Sequence, residues 1–225
     1  MSNIVVLMGS VRKGGNTDLL VQAFAEGAEK NNTVEIISAA DYKVNPCIGC
    51  NTCFEREGNR CFQEDDMQEI YEKLKEADVL AIASPVYFYG VSAQLKAIID
   101  RLHTPMRNEF RIKKLALILV GAATLPELFD SIKVQYQLVL NYFKLEDAGM
   151  VLVRGAKDKG DVKKLHGAYR FMMSIMVKTA GKALAEKADR TQEENDMLDM
   201  MLNGGKRVTK QNLNTVIDWY KNSYL

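Results

Sequence analysis

Short apolar runs alternate with segments of mixed polarity through the first two thirds of the chain. Runs rich in Val, Ile, Leu and Ala predict β-strands at residues 4–8, 34–37, 79–83, 115–120 and 149–153. Such uninterrupted runs are typical of parallel strands that helices cover on both faces. We therefore expect one buried sheet rather than a sheet with a solvent-exposed face.

Apolar residues recur at helical spacing between these runs. Helices are predicted after a cap at Asn16 or Thr17, after Asp65-Asp66, and over residues 91–103 and 125–143. The repeated alternation predicts a doubly wound α/β fold with a five-stranded parallel sheet. Ligands of such folds bind outside the carboxyl ends of the strands.

The last part of the chain has a different pattern. Residues 154–225 are helical in pattern, rich in methionine and basic on balance, whereas residues 1–153 are acidic on balance. We therefore divide the chain into a domain at 1–153 and a helical C-terminal extension at 154–225. Methionine fills irregular apolar gaps, so the extension is expected to pack on the domain or on a partner subunit, or else to form a lid or docking surface.

The composition excludes several classes of protein. The chain has 225 residues, of which 47% are hydrophobic and 26% charged, and this ordinary mixture argues against wholesale disorder. The net charge of +1 gives no electrostatic support for nucleic-acid binding. No apolar run approaches the roughly twenty residues of a membrane-spanning helix, and the N-terminus lacks the pattern of a signal peptide. We expect a cytoplasmic protein that binds neither nucleic acid nor membrane.

The loop after the first predicted strand carries the chemistry of a phosphate site. Residues 9–17 read Gly-Ser-Val-Arg-Lys-Gly-Gly-Asn-Thr and match neither the dinucleotide fingerprint nor the P-loop motif. Ser10, Asn16 and Thr17 offer side-chain donors at a helix N-terminus, and Arg12 adds positive charge. The loop is predicted to bind a phosphomonoester, the alternative being a capped turn without a ligand.

All four cysteines lie in one short stretch, as Cys47, Cys50, Cys53 and Cys61. In a reducing compartment, such a group is more typical of a metal or redox site than of a disulfide framework. Three closely spaced thiols with a fourth further along suit an iron–sulfur cluster. A structural zinc site and cysteines that bind no metal are the alternatives.

Residues 9–17, together with residues 84–90 and 96–101, resemble segments of flavodoxin-like flavoproteins, in the branch of NAD(P)H-dependent FMN reductases and iron–sulfur flavoproteins. The resemblance covers about residues 1–153 and implies a flavodoxin-like three-layer sandwich. It places the FMN phosphate on residues 10–17 and a [4Fe–4S] cluster on the four cysteines. The further flavin contacts that it implies are Pro85, Val86, Tyr87, Phe88, Gly90 and Gly121.

This resemblance also implies a function. The protein is expected to be an FMN-dependent oxidoreductase that passes electrons from NAD(P)H, a transient co-substrate, to a small acceptor such as a flavin or quinone. One alternative is an iron–sulfur flavoprotein that exchanges electrons with a ferredoxin-like partner, and another is a flavin-binding redox sensor without turnover. Because the cofactor carries the redox chemistry, no catalytic acid or base is assigned. A homo-dimer or homo-tetramer is expected.

Overall fold

The computed structural model describes residues 1–164, in which strands and helices alternate. The strands are β1 (Asn3–Met8), β2 (Thr33–Ser38), β3 (Val79–Pro85), β4 (Lys114–Val120) and β5 (Glu146–Val153). The α-helices are α1 (Asn16–Ala28), α2 (Thr52–Glu55), α3 (Met67–Lys75), α4 (Ala93–Arg101), α5 (Asp130–Phe143) and α6 (Asp161–Lys164). The described residues also include 3-10 helices at Glu57–Asn59, Pro105–Glu109 and Pro126–Phe129.

The strands of the described region pair in parallel in one sheet, in the order β2-β1-β3-β4-β5. Ile4 of β1 pairs with Val34 on one side and with Val79 on the other. This is the strand order of a flavodoxin-like domain, in which the order reverses between β1 and β3. The predicted five-stranded, doubly wound fold is therefore confirmed.

The three interior strands, β1, β3 and β4, lie at the centre of the hydrophobic core. Val6 and Leu7 of β1 are fully buried, and so is Leu119 of β4. On one face of the sheet, Leu7 shares an apolar cluster with residues of α3 and α4 such as Ile70 and Ile98. Full burial on both faces explains why these strands read as uninterrupted apolar runs.

Some predicted helix boundaries are wrong. The α-helix does not begin at residue 125, since the first turn of this segment is a 3-10 helix at Pro126–Phe129 and α5 begins only at Asp130. The predicted cap at Asn16 or Thr17 is also displaced. Helix α1 already includes Asn16, and Gly15 occupies the N-cap position with extended backbone.

After β5, the chain remains bonded to the loop that follows β4. We name residues 154–164 the strap. Its Gly155 N–H donates to Ala123 O at 3.1 Å, and its Ala156 N–H donates to Gly121 O at 3.1 Å. The compact unit that contains the described residues runs from Met1 to Leu165, beyond the boundary predicted at residue 153.

Most of the predicted C-terminal extension, from residue 165 onward, lies outside the described residues. Within residues 1–164, no helix combines the length and the apolar character needed to cross a membrane.

Candidate functional site

Two loops meet where the strand order reverses. The loop after β1 and the loop after β3 are neighbours because β1 and β3 are paired along their length. A Cβ built on Gly9 would collide with Ser92 Oγ and would lie 2.9 Å from Leu95 Cβ. The end of β1 therefore passes so close to α4 that a residue with a side chain does not fit.

The loop from Gly9 to Gly15 presents backbone groups at the start of α1. No side chain among residues 1–164 caps this helix end, so its first N–H groups are left for another acceptor. Ser10 Oγ accepts the Arg12 N–H at 3.2 Å, and Gly15 N–H donates to Arg12 O at 2.9 Å. A tight loop over an uncapped N-terminus suits a phosphate group.

The predicted phosphate donors differ in their surroundings. Ser10 and Thr17 are buried in the loop and the first helical turn, whereas Arg12 is exposed. Asn16 is committed elsewhere, because its Nδ2 donates to Asp158 O at 2.8 Å and to Ala156 O at 3.3 Å. These bonds use both amide hydrogens, so Asn16 can reach a phosphate only through its backbone N–H.

One cation at this loop was not predicted from the sequence. Gly14 has a left-handed φ of +68°, and a Cβ built on it would lie 2.9 Å from Lys159 Cε and 3.0 Å from Lys159 Nζ. The strap thus carries the Lys159 ammonium group over the loop. The only local signal was the run of alternating Lys and Asp at 157–159, which says nothing about a loop so far away in sequence.

The aromatic segment after β3 forms a tight turn. Tyr87 and Gly90 exchange both backbone hydrogen bonds, at 2.9 and 3.0 Å. Phe88 and Tyr89 between them have φ values of 47° and 62°, the left-handed geometry of a type I′ turn, which costs energy for residues other than glycine. Ser131 Oγ donates to Tyr89 O and ties the turn to α5.

This turn leaves aromatic surface uncovered. Phe88 is 99% exposed and Tyr87 is 50% exposed. Pro85 and Val86 are half-buried, and the Val86 N–H donates to Val120 O at 2.7 Å. Exposed aromatic rings on a strained, fixed turn beside a phosphate loop can stack on a planar ligand.

The remaining predicted contact, Gly121, lies at the end of β4. A Cβ built there would lie 3.3 Å from Leu128 Cγ and would collide with Leu128 Cδ2. The Gly121 N–H donates to Val153 O at 2.8 Å. The close packing of Leu128 is a structural reason for glycine at this position.

The cysteines lie on a segment whose two ends are held together. We name residues 46–64 the cysteine segment. Asn45 and Asp65 flank the segment, and we call the place where they meet its neck. There, Asp65 Oδ2 accepts the Asn45 N–H at 2.9 Å and forms an ion pair with Arg101 Nη1. Arg101 Nη1 also approaches Asn45 O at 3.4 Å. The side chains of Arg101 and Asp65 are 2% and 5% exposed, so this is a buried clamp.

Arg101 has further hydrogen-bonding capacity beside the cysteines. Its Nε and Nη2 are buried and have no hydrogen-bond partner within the described residues. Burial lowers the pKa of Arg101, but the hydrogen bond and charge of Asp65, with a smaller contribution from Cys61, outweigh that effect and raise it. Arg101 is therefore a permanent buried cation with two donor nitrogens that have no partner among residues 1–164.

The four thiols occupy different environments. Cys47 and Cys50 are exposed, whereas Cys53 and Cys61 are half-buried. Thr52 Oγ1 donates to Cys50 Sγ at 3.3 Å and lowers the pKa of Cys50. Burial raises the pKa of Cys53. Among residues 1–164, no three Cys, His, Asp or Glu side chains are gathered closely enough to hold a metal ion.

A cavity of about 700 Å³ lies apart from both sites, beneath α4 and α5. Its walls include Ile82, Leu117 and Val139, with Lys96 and Arg107 also lining it, and it contains none of the predicted flavin contacts. The phosphate loop and the aromatic turn therefore do not line this cavity.

A sequence model of the family described as NADPH-dependent FMN reductase matches residues 2–156. The chain belongs to this family. The predicted membership is confirmed, and the matched region includes the phosphate loop, the cysteine segment and the aromatic turn.

Curated relatives that the chain matches include iron–sulfur flavoproteins. An iron–sulfur flavoprotein of Methanocaldococcus jannaschii is 48% identical over 111 residues, which are 49% of this chain and 56% of that protein. An iron–sulfur flavoprotein of Methanosarcina thermophila is 38% identical over 121 residues, 53% of this chain and 60% of that protein. The chain thus matches little more than half the length of these curated relatives.

Among solved structures, an NAD(P)H:quinone oxidoreductase of Methanothermobacter marburgensis has a TM-score of 0.59 and 17% identity. The match covers 77% of this chain and 95% of that one. At this identity the likeness shows a shared fold.

The two implied cofactors fit the structure differently. The uncapped helix end and the narrow passages at Gly9 and Gly14 form a cradle that fits the phosphate of FMN. The four cysteines have the donor chemistry of an iron–sulfur cluster, but their positions do not fit one, since no three of them converge.

Proposed function

We propose that this protein is an FMN-dependent oxidoreductase that takes electrons from NAD(P)H and delivers them to a small acceptor such as a flavin or quinone. The observation that carries the proposal is the juxtaposition of an uncapped helix end and an exposed aromatic turn at the β1/β3 reversal. Family membership supports FMN as the ligand.

Different groups of the chain bind the phosphate and the ring of FMN. The N–H groups at the start of α1, with Ser10 and Thr17, hold the phosphate, and Arg12 adds charge. Pro85 and Val86 form the wall against which the ring lies, and Tyr87 and Phe88 offer aromatic faces. The two hydrogen bonds between Tyr87 and Gly90 fix the geometry of that wall before any ligand arrives.

Bound FMN supplies the hydride and electron chemistry. The protein orients the ring beside the aromatic turn, where Phe88 is almost fully exposed, and one side of the ring stays open to solvent. A nicotinamide and then an acceptor can use that open side in turn. No dinucleotide fingerprint occurs in the sequence, so the nicotinamide is held transiently at the flavin site.

The test is anaerobic reduction of the FMN-loaded protein by NADH and by NADPH, followed by reoxidation with a quinone or free flavin. We expect one FMN per chain, and bleaching and recovery of its visible absorbance at catalytic rates. A Phe88→Ala variant should retain the phosphate loop and lose part of the rate. If FMN binds but neither nicotinamide reduces it, the enzyme proposal fails and the redox-sensor alternative remains.

We propose as a second candidate that the cysteine segment binds an iron–sulfur cluster in the working protein. The names of the two relatives above, the four thiols and the free donors of the buried Arg101 support it. Because no three sulfurs converge in this structure, loading requires the segment to change shape between its clamped ends.

Anaerobic purification with assays of iron and acid-labile sulfide tests this second candidate. About four irons per FMN, lost in Cys53→Ser and Cys61→Ser, would support a [4Fe–4S] centre. Zinc in place of iron would indicate a structural metal. Protein that contains FMN but never retains metal, even after reconstitution with iron and sulfide, would leave the thiols without a cluster.

A further inference from the structure

The strap is fastened to the start of α1 by one side chain. Asn16 Nδ2 donates to Ala156 O and Asp158 O, and Asn16 Oδ1 accepts the Gly160 N–H at 3.0 Å and the Val162 N–H at 3.3 Å. A single amide thus satisfies four backbone groups of the strap. These bonds fix the strap relative to the helix N-terminus.

Two other observations show that the strap packs on the domain in a fixed position. Ala156 and Val162 are 6% and 7% exposed, so the strap buries apolar side chains at both ends. Its first residues also bond to the loop after β4, through Gly155 N–H to Ala123 O and Ala156 N–H to Gly121 O. Lys159 lies between the buried residues Ala156 and Val162 in the sequence.

Lys159 is the strap residue that reaches the phosphate loop. Its Cε and Nζ lie 2.9 and 3.0 Å from the position that a Cβ of Gly14 would take. It forms no ion pair with any residue in the described part of the chain. In the first turn of α1, the Asp18 carboxylate accepts the Gly14 N–H at 2.6 Å and a Gln22 amide N–H at 3.3 Å.

We propose that Lys159 is a phosphate-binding cation of the flavin site and that Asn16 is its positioning residue. This inference rests on the proposed function, because the phosphate is that of FMN. The backbone N–H groups of α1 supply directional donors, and the Lys159 ammonium group closes the other side of the phosphate with a full positive charge. Glycine at position 14 leaves the space through which the lysine side chain passes.

The experiment compares two ligands that differ only in the phosphate. Apoprotein is titrated with FMN and with riboflavin, and binding is followed by the quenching of flavin fluorescence. Lys159→Met should weaken FMN binding by about tenfold, since a charge-assisted hydrogen bond is lost, and should change riboflavin binding by less than about twofold. Lys159→Arg should retain the preference for FMN.

Lys157→Met is the matched control. Lys157 lies on the same strap and is exposed, as Lys159 is, but none of its atoms lies within 4 Å of the Cβ position of Gly14. Its substitution therefore changes net charge by the same amount without removing that approach to the loop. We expect its ratio of FMN affinity to riboflavin affinity to equal that of the wild type. A fall in this control as large as in Lys159→Met would mean that only long-range charge matters and would overturn the proposal.

Asn16→Ala tests the positioning role. It should lower the ratio of FMN to riboflavin affinity, and it should have little further effect on that ratio when Lys159 is already Met. Using the ratio cancels any loss of folded protein. Full additivity of the two substitutions would show that Asn16 does not act through Lys159.

The possible failures are distinguishable. If the wild type prefers FMN and Lys159→Met keeps that preference, this inference is wrong while the proposed function stands. If the wild type binds neither flavin, the proposed function is wrong, and the inference about Lys159 is wrong as well.

Discussion

At the scale of single residues, Gly9 is set by space rather than by backbone freedom. A Cβ there would press on Ser92 Oγ and on Leu95 Cβ, both of which belong to buried residues. Gly9→Ala should lower the free energy of unfolding by about 1–3 kcal/mol, as overpacking does, and weaken FMN binding because the phosphate loop starts there. Urea denaturation and fluorescence titration measure the two effects.

Gly27 is the matched control for Gly9. It lies in α1, and apart from its chain neighbours and the adjacent helix backbone, no atom of residues 1–164 would lie within 4 Å of an added Cβ. Gly27→Ala should therefore raise the free energy of unfolding, by roughly 0.5–1 kcal/mol, and leave FMN affinity unchanged. Equal destabilisation by both substitutions would contradict the steric explanation for Gly9.

Tyr71 should make stability depend on pH in the alkaline range. Its hydroxyl donates to Arg101 O at 2.6 Å, and burial raises its pKa from 10.0 to about 12. The folded chain thus holds this proton at pH values where the unfolded chain has lost it. The associated stability is present in full below pH 10 and is lost as pH rises toward 12, by at most about 1.4 kcal/mol per pH unit.

Tyr71→Phe isolates this contribution. The variant should lose about 1 kcal/mol at pH 8, where the hydrogen bond is intact in the wild type. Between pH 10 and 12, its free energy of unfolding should fall less steeply than that of the wild type. Parallel pH profiles for the two proteins, obtained from urea denaturation, would show that Tyr71 titrates normally.

At the scale of elements, the buried ion pair at the neck connects the cysteine segment to α4. Arg101→Met removes the cation and leaves the Asp65 carboxylate buried at 5% exposure. Such an unpaired buried charge costs about 3–5 kcal/mol, so we expect a large fall in the free energy of unfolding. The ion pair Arg111–Glu76 provides a control, because its two side chains are 54% and 71% exposed.

Arg111→Met should cost less than about 1 kcal/mol, because exposed ion pairs contribute little. Thermal unfolding of both variants gives the comparison. Alkylation of the half-buried Cys53 and Cys61 should also become faster in Arg101→Met only. Similar small losses in both variants would mean that the neck is not energetically important.

Elements also show why sequence predicts some features and not others. The interior strands β1, β3 and β4 were predictable because burial on both faces leaves an uninterrupted apolar run, and the phosphate loop because glycines and hydroxyls cluster locally. The clamp was not predictable, since Asp65 and Arg101 belong to separate helix ends and no local pattern links them. The pairing of Asn16 with the strap was equally hidden, because it joins residues more than 140 positions apart.

At the scale of the whole molecule, the position of the domain boundary decides whether the strap belongs to the flavin site. The sequence predicts a boundary at residue 153, where the last apolar run ends, while the compact unit runs to Leu165. The difference is the strap, which contributes two buried apolar side chains, four bonds to Asn16 and the Lys159 cation.

Two truncated chains, one ending at Val153 and one at Leu165, test which boundary is functional. The chain ending at Leu165 retains every residue of the candidate flavin site and should bind FMN within about threefold of the full chain. The chain ending at Val153 should be less stable by about 3–5 kcal/mol, because buried apolar groups and several hydrogen bonds are lost. It should also bind FMN at least about tenfold more weakly, with a smaller effect on riboflavin. Equal affinities in the two truncated chains would show that the strap is dispensable and would place the boundary at residue 153. Loss of FMN binding in both would mean that residues after 165 complete the site.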